Sequence, residues 1–164
     1  MRAFQAAVRR LSKGAAVISA ALLVLMVLHI LLEITLRSFF ATSTFVLDEF
    51  VGYGVAAMTF LTLGYALEKD ALIRVQLALT RSPAPVRRGL ETLCASLTLA
   101  LSLFLIGHFW RSVSRNWGRS AVSQSIAEVP LWIPEGLVLL GLVLFALQLF
   151  AHLLRLVRPM PVED

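Results

Sequence analysis

The sequence places no charged residue near the middle of four long apolar stretches, which cover about 14–32, 50–67, 90–110 and 131–154. Each stretch is long enough to cross a hydrocarbon layer of ~30 Å as a helix that rises ~1.5 Å per residue. A protein that moves ions by itself usually keeps ionisable groups inside the membrane. The uncharged middles therefore argue against a self-contained transporter, including a small homo-oligomeric one.

Common catalytic motifs and metal-binding spacings are also missing. The sequence contains no Walker motif, no HExxH, no GxSxG and no glycine-rich nucleotide loop. Cys94 is the single cysteine, so it can form no intramolecular disulfide and belongs to no cysteine pattern typical of a metal site. These absences predict a protein that is not an enzyme and holds no metal or cofactor.

The composition predicts one all-α integral membrane domain over 1–164. Hydrophobic residues make up 59% of the chain and the mean hydropathy is +0.83, whereas soluble domains average ~45–50% apolar. The first apolar stretch is longer than the ~7–15 residues of a signal-peptide core, so it is predicted to remain as a membrane helix. The four predicted membrane helices cover about 14–37, 45–67, 90–110 and 131–154.

The connecting segments differ in their content of Lys and Arg. Four of the fifteen cations lie in 1–13, five in 68–89 and two in 155–164, against one in 33–49 and three in 111–130. This asymmetry follows the positive-inside rule and predicts cytoplasmic N- and C-termini. It also predicts an amphipathic cytoplasmic loop at 68–89 and a polar periplasmic loop at 111–130. Residues 1–13 are predicted to form either a basic surface helix or a solvated arm.

Basic residues of this kind could also indicate nucleic-acid binding. No basic stripe with interleaved aromatic residues is present, so the charge is interpreted as a topology signal and no nucleic-acid partner is predicted.

Four acidic residues are predicted to meet at the outer face of the membrane: Glu33, Asp48, Glu49 and Glu135. Arg37 is the nearest cation, and it follows Glu33 by four residues, the favourable order for an ion pair on a helix. The group forms either a solvated acidic rim or a functional surface, which would be a docking surface or an inter-subunit ion-pair network. Both interpretations stay open on the sequence alone.

Small residues in the second stretch predict close helix packing. Gly52 and Ala56 form a small-xxx-small pair, and Gly64 lies further along the same helix. A second pattern, the histidines His29 and His108 near the outer ends of two helices, supports an alternative function as a small haem-binding redox subunit. That alternative requires the two rings to face each other across a shared pocket.

Four groups of residues have an order and spacing typical of a known family: Glu33-xxx-Arg37-x-Phe39-Phe40, Asp48-Glu49-Phe50-xx-Tyr53, Phe60-Leu61-xx-Gly64-xx-Leu67, and Val129-Pro130-Leu131-Trp132-Ile133-Pro134 with Gly136, Gly141 and Gln148. Together they make the chain resemble the small membrane subunit of TRAP (tripartite ATP-independent periplasmic) transporters, the DctQ-like permease component. The chain departs from the family at 72–76, where the sequence Leu-Ile-Arg-Val-Gln replaces a His-Ile-x-Val-Asp-like stretch.

The resemblance implies a function. It implies a four-helix scaffold subunit in a bacterial inner membrane, bound to a large membrane subunit that carries the substrate and sodium sites. A periplasmic solute-binding protein would deliver an organic acid. The interface candidates implied by the matching motifs and the acidic group are Glu33, Arg37, Asp48, Glu49, Tyr53, Trp132 and Glu135. The remaining alternative is another kind of four-helix accessory subunit.

Overall fold

The computed structural model describes residues 2–69 and 84–157, and it forms four α-helices. Their bounds are α1 Arg2–Phe40, α2 Leu47–Glu68, α3 Ala84–Gly118 and α4 Trp132–Val157. All four are long and apolar enough to cross a membrane. The predicted all-α fold with four membrane helices is therefore confirmed. Most of the predicted amphipathic loop at 68–89 lies outside the described residues.

Two helices are longer than the predicted membrane spans. Helix α1 has 39 residues, about 58 Å at ~1.5 Å per residue, so the expected surface segment 1–13 is continuous with the span. Helix α3 has 35 residues and continues to Gly118, where a loop was expected from residue 111. A helix satisfies its backbone hydrogen bonds internally in lipid and in water alike, so leaving the membrane does not end it. The connection proper is only 119–131, and it contains one isolated bridge between Val122 and Pro130.

The helices alternate in direction. Arg9, near the start of α1, forms an ion pair with Glu68 at the end of α2, with 3.3 Å between Arg9 Nε and Glu68 Oε1. Ser112, late in α3, donates a hydrogen bond to Glu135 in the first turn of α4. The bundle therefore has two distinct ends. We call the end where α1 and α3 finish the Glu33 end, and the opposite end the terminal end.

Helix α4 is the centre of the bundle. It packs against α1, α2 and α3, whereas α3 contacts α4 alone among the described helices. A core formed by Leu67, Phe145 and Leu149 joins α2 to α4, with Leu99 of α3 packed against it. The outward faces of α1 and α3 remain apolar and exposed, so they are free to contact lipid or another membrane protein.

Helices α4 and α2 approach each other closely where they cross. A Cβ atom placed on Gly141 would lie 2.5 Å from the backbone carbonyl carbon of Phe60, a distance that leaves no room for a side chain. A Cβ placed on Gly64 would lie 3.1 Å from Ser12 Oγ of α1 and 3.6 Å from Leu144 O of α4. The crossing of α2 and α4 thus depends on Gly141, and Gly64 leaves space for Ser12 of α1.

The close helix contact that was predicted at Gly52 and Ala56 involves Gly54 instead. Gly52 is exposed, and a Cβ there would meet no atom of the described chain within 4 Å. Two residues further along, Gly54 faces α1, because a Cβ there would come within 2.3 Å of the Met26 sulfur. Ala56 is half-buried, and its neighbour Ala57 is buried instead. The small-xxx-small spacing identified the correct helix but not the face that packs.

We predict that replacing Gly141 with alanine destabilises the bundle, because the new methyl group would push the α2 and α4 backbones apart. Overpacking of this kind costs about 1–3 kcal/mol. Gly107→Ala is the matched control, since a Cβ at Gly107 meets nothing within 4 Å and alanine favours a helix by up to about 1 kcal/mol. Thermal unfolding of the detergent-solubilised protein measures both. Equal midpoints for the two variants would contradict the close crossing.

Candidate functional site

The carboxylate of Glu33 is buried at the Glu33 end, with 2% of the residue exposed. Arg37 Nε donates to Oε1 at 2.8 Å, so the ion pair expected from the i, i+4 spacing is present. The Ser43 hydroxyl also donates to Oε1. Oε2 accepts from the Thr44 amide at 3.0 Å and from the Thr44 hydroxyl at 2.6 Å. Each carboxylate oxygen therefore has two donors, which is how a buried charge is stabilised.

These hydrogen bonds hold the turn between α1 and α2 in an unusual backbone conformation. Ala41 and Phe45, which flank the segment 42–44, have φ angles of 50° and 58° although neither is glycine. A left-handed conformation costs a non-glycine residue roughly 1–2 kcal/mol. The Glu33 hydrogen bonds from Ser43 and Thr44 offset that cost, together with a bond of 3.1 Å from the Phe45 amide to Ser43 Oγ. We call this arrangement the Glu33 clamp.

A second carboxylate, Glu49, binds in the first turn of α2. The Tyr53 hydroxyl donates to Glu49 Oε1 at 2.7 Å. Ser123 and Ser125 of the 119–131 connection lie beside the same carboxylate, and their hydroxyls are 2.9 Å apart. The Tyr53 bond holds the Glu49 carboxylate within the first turns of α2, beside the connection between α3 and α4.

The third carboxylate, Glu135, joins the extension of α3 to α4. Ser112 Oγ donates to Oε1 at 3.1 Å, and Asn116 Nδ2 donates to Oε2 at 2.9 Å. Next to it, the rings of Trp117 and Trp132 meet edge to face with their centroids 4.6 Å apart. Both contacts lie in the part of α3 that was expected to be loop, so they fix the position of that extension.

Three of the four predicted acidic residues thus bind to their own chain rather than forming one exposed rim. Asp48 is exposed in the first turn of α2, and the side chain of Arg37 is 64% exposed. These two residues are accessible to a partner at this end, whereas the Glu33 carboxylate is covered. The serine, threonine and asparagine partners were not identified from the sequence. The signal for them in the sequence was the presence of short polar side chains close to the helix ends.

A partly open apolar cavity of about 290 Å³ lies just below the Glu33 clamp, between α1, α2 and α4. Met26, His29 and Phe50 line it, and Val129 of the 119–131 connection contributes to its wall. The His29 ring stacks on Phe50, with the centroids 6.0 Å apart and the planes inclined by 17°. The sequence did not indicate this cavity.

The histidine pair of the haem alternative is not brought together. His29 lines the cavity in α1, whereas His108 is exposed on α3 and meets the edge of Phe109. Helices α1 and α3 make no contact with each other within the described residues. Within 2–69 and 84–157, no group of three or more His, Cys, Asp or Glu residues is placed to hold a metal ion.

A bundle of four apolar helices, with its carboxylates at the helix ends and none in the middle of a span, defines a multi-pass helical membrane protein. The family model described as Tripartite ATP-independent periplasmic transporters, DctQ component, matches residues 26–159. The chain belongs to this family, which confirms the resemblance found in the sequence. The members are components of a transporter. A search of curated proteins and of solved structures finds no match.

We predict that Glu33→Gln lowers thermal stability more than Glu135→Gln, and that Asp48→Asn leaves it almost unchanged. All four bonds to Glu33 come from donors, so a glutamine amide nitrogen there would face a donor and leave it unpaired. Glu135 has two such donors, and Asp48 is exposed. Melting of the three purified variants in one detergent measures the order. A melt of Glu33→Gln that matches Asp48→Asn would contradict the clamp.

Proposed function

We propose that this protein is the scaffold subunit of a TRAP transporter that takes up an organic acid with a sodium gradient. A larger membrane subunit carries the substrate and sodium sites, and a periplasmic solute-binding protein delivers the substrate. The family match supports the place of this chain in such an assembly. The substrate class and the coupling ion are what the family resemblance implies, and the distribution of polar groups along the helices supports the scaffold role.

The observation that carries the proposal is the absence of a polar path through the described part of the bundle. No Asp, Glu, Lys or Arg lies in the middle of the four spans. Five hydroxyls at these depths donate to carbonyls of their own helices at 2.7–2.9 Å: those of Ser19, Thr59, Thr62, Thr98 and Ser102. Side chains satisfied in this way are poorly placed to coordinate sodium or a carboxylate in transit.

The exposed faces of α1 and α3 support the scaffold role. Leu31 in α1 is 53% exposed, and Leu97 and Phe104 in α3 are 63% and 67% exposed. Helix α3 touches α4 alone among the described helices, so most of its circumference is free for lipid or for the larger subunit. We propose that these two apolar faces are the membrane-embedded docking surfaces.

We propose that the Glu33 end faces the periplasm of a bacterial inner membrane. The excess of Lys and Arg in 1–13 and 68–89 supports cytoplasmic termini. In that orientation, Asp48 and Arg37 are accessible on the side where the solute-binding protein would dock. The docking surface predicted from the sequence then consists of these two exposed side chains. The hydrogen bonds of Glu33, Glu49 and Glu135 lie beneath it.

We predict that Arg37→Glu weakens assembly with the larger subunit and lowers uptake. The new carboxylate would face Glu33 one helical turn away and remove two donors, because Arg37 also approaches Ser43 Oγ at 3.4 Å. Co-purification from mild detergent and uptake by cells measure the effect. Arg115→Glu, an exposed charge reversal at the same end, is the control. Wild-type assembly and uptake in the Arg37→Glu protein would count against the clamp as a support for docking.

We predict that the chain reconstituted alone into liposomes transports nothing, because its helices offer no polar path. The measurement imposes a sodium gradient and follows labelled organic acids, first with this subunit alone and then with the larger subunit and the binding protein added. Sodium-dependent flux through the single subunit would overturn the scaffold role.

A further inference from the structure

We propose that the cavity beside His29 binds one acyl chain of a phospholipid, and that His29 donates a hydrogen bond to the ester carbonyl of that lipid. The lipid belongs to the leaflet at the Glu33 end. This inference concerns the subunit itself and does not depend on the proposed function.

The chemistry of the cavity favours hydrocarbon over water. The side chains that line its walls are almost all apolar, as Leu22, Met26, Ala57 and Leu137 illustrate. A volume of about 290 Å³ corresponds to the space of roughly ten waters at ~30 Å³ each, but a buried water needs two to four polar partners. The walls supply too few such partners. An unfilled space of this size would also forfeit the dispersion contacts of its lining atoms.

The opening of the cavity faces the surrounding membrane. Three of the residues that line it are largely exposed: Leu25 at 61%, Phe50 at 44% and Ile133 at 42%. All three belong to membrane-spanning helices. The cavity is therefore accessible sideways from the hydrocarbon, where acyl chains are the solvent.

His29 supplies the polar contact that a phospholipid requires. Its Nε2 atom is covered by the protein and has no hydrogen-bond partner within the described part of the chain, so a lipid carbonyl reaches it once the ring or its neighbours shift. One turn further along α1 lies Glu33, so His29 is about 6 Å deeper than the first charged group. That depth is the boundary between hydrocarbon and headgroups, where the ester carbonyls of a phospholipid accept hydrogen bonds.

The charge above the cavity fits the rest of the lipid. Arg37 lies two turns beyond His29 on α1, and its side chain is 64% exposed although it also contacts Glu33. A guanidinium has five donors, so it can bind a carboxylate and still attract a phosphate. The order along α1 is thus apolar cavity, ester-binding histidine and phosphate-attracting arginine, which matches the order of groups in a phospholipid.

The test counts the phospholipids that remain bound to the full chain by native mass spectrometry, after incubation with a phosphatidylethanolamine and phosphatidylglycerol mixture. Val51 lines the cavity, so Val51→Trp fills it and should remove one retained phospholipid. Leu101→Trp places the same ring on the exposed face of α3 and should retain the wild-type number.

A second pair of variants tests the proposal if Val51→Trp does not fold. His29→Leu keeps an apolar side chain but removes the donor, and should weaken retention about five-fold, the value of one net hydrogen bond. His29→Gln restores a donor and should recover most of it. All variants are compared as monodisperse protein in one detergent.

Three results would overturn the proposal. The first is an unchanged lipid count in Val51→Trp and His29→Leu. The second is retention of free fatty acid without phospholipid, which would remove the role of the ester. The third is loss of the bound lipid when the larger subunit assembles, together with failure of Val51→Trp to assemble, because the cavity would then hold a side chain of that subunit.

Discussion

Helices that share a bilayer gain little from burying leucine against leucine, since lipid tails are equally apolar, and so they depend on close backbone contact and on polar interactions. Both occur here at defined places. Gly141 brings the backbones of α4 and α2 together near the middle of the bundle. At one end, Glu33 accepts hydrogen bonds from the turn between α1 and α2, and Glu135 accepts them from the extension of α3. The fold is therefore held at its centre and at one rim, with ordinary apolar packing between them.

The hydrogen bonds at the Glu33 end show what the acidic residues there contribute to the fold. Glu33 is surrounded by four donors, Glu49 lies beside the connection from α3, and Glu135 holds the α3 extension. Glu33 and Glu135 each join two segments that are separated by a turn or a connection. These contacts restrain the end of the bundle where the chain leaves regular helix twice.

The fold could be predicted from the sequence because apolar length and the depth of charges are strong signals in a membrane. The ion pair of Glu33 with Arg37 could also be predicted, since it depends only on helical spacing. The hydrogen bonds from Ser43 and Thr44 to Glu33 could not be predicted, because they require the left-handed residues on either side of the turn. Gly52 was predicted to pack against another helix, whereas Gly54 is the residue that packs against Met26 of α1. Helix α2 is apolar around its circumference, so hydropathy alone does not indicate which side meets α1. The third span was predicted to end at residue 110 because a helix was expected to end where it leaves the membrane, whereas α3 continues to Gly118.

The central position of α4 has a consequence for biosynthesis. It is the last of the four described helices to leave the ribosome, yet it is the one that contacts all the others. Until it inserts, α1 and α2 can pair through contacts such as Arg9 with Glu68, while α3 has no native neighbour within the described chain. Insertion of α4 therefore supplies α3 with its contacts in the described bundle and completes the tertiary structure.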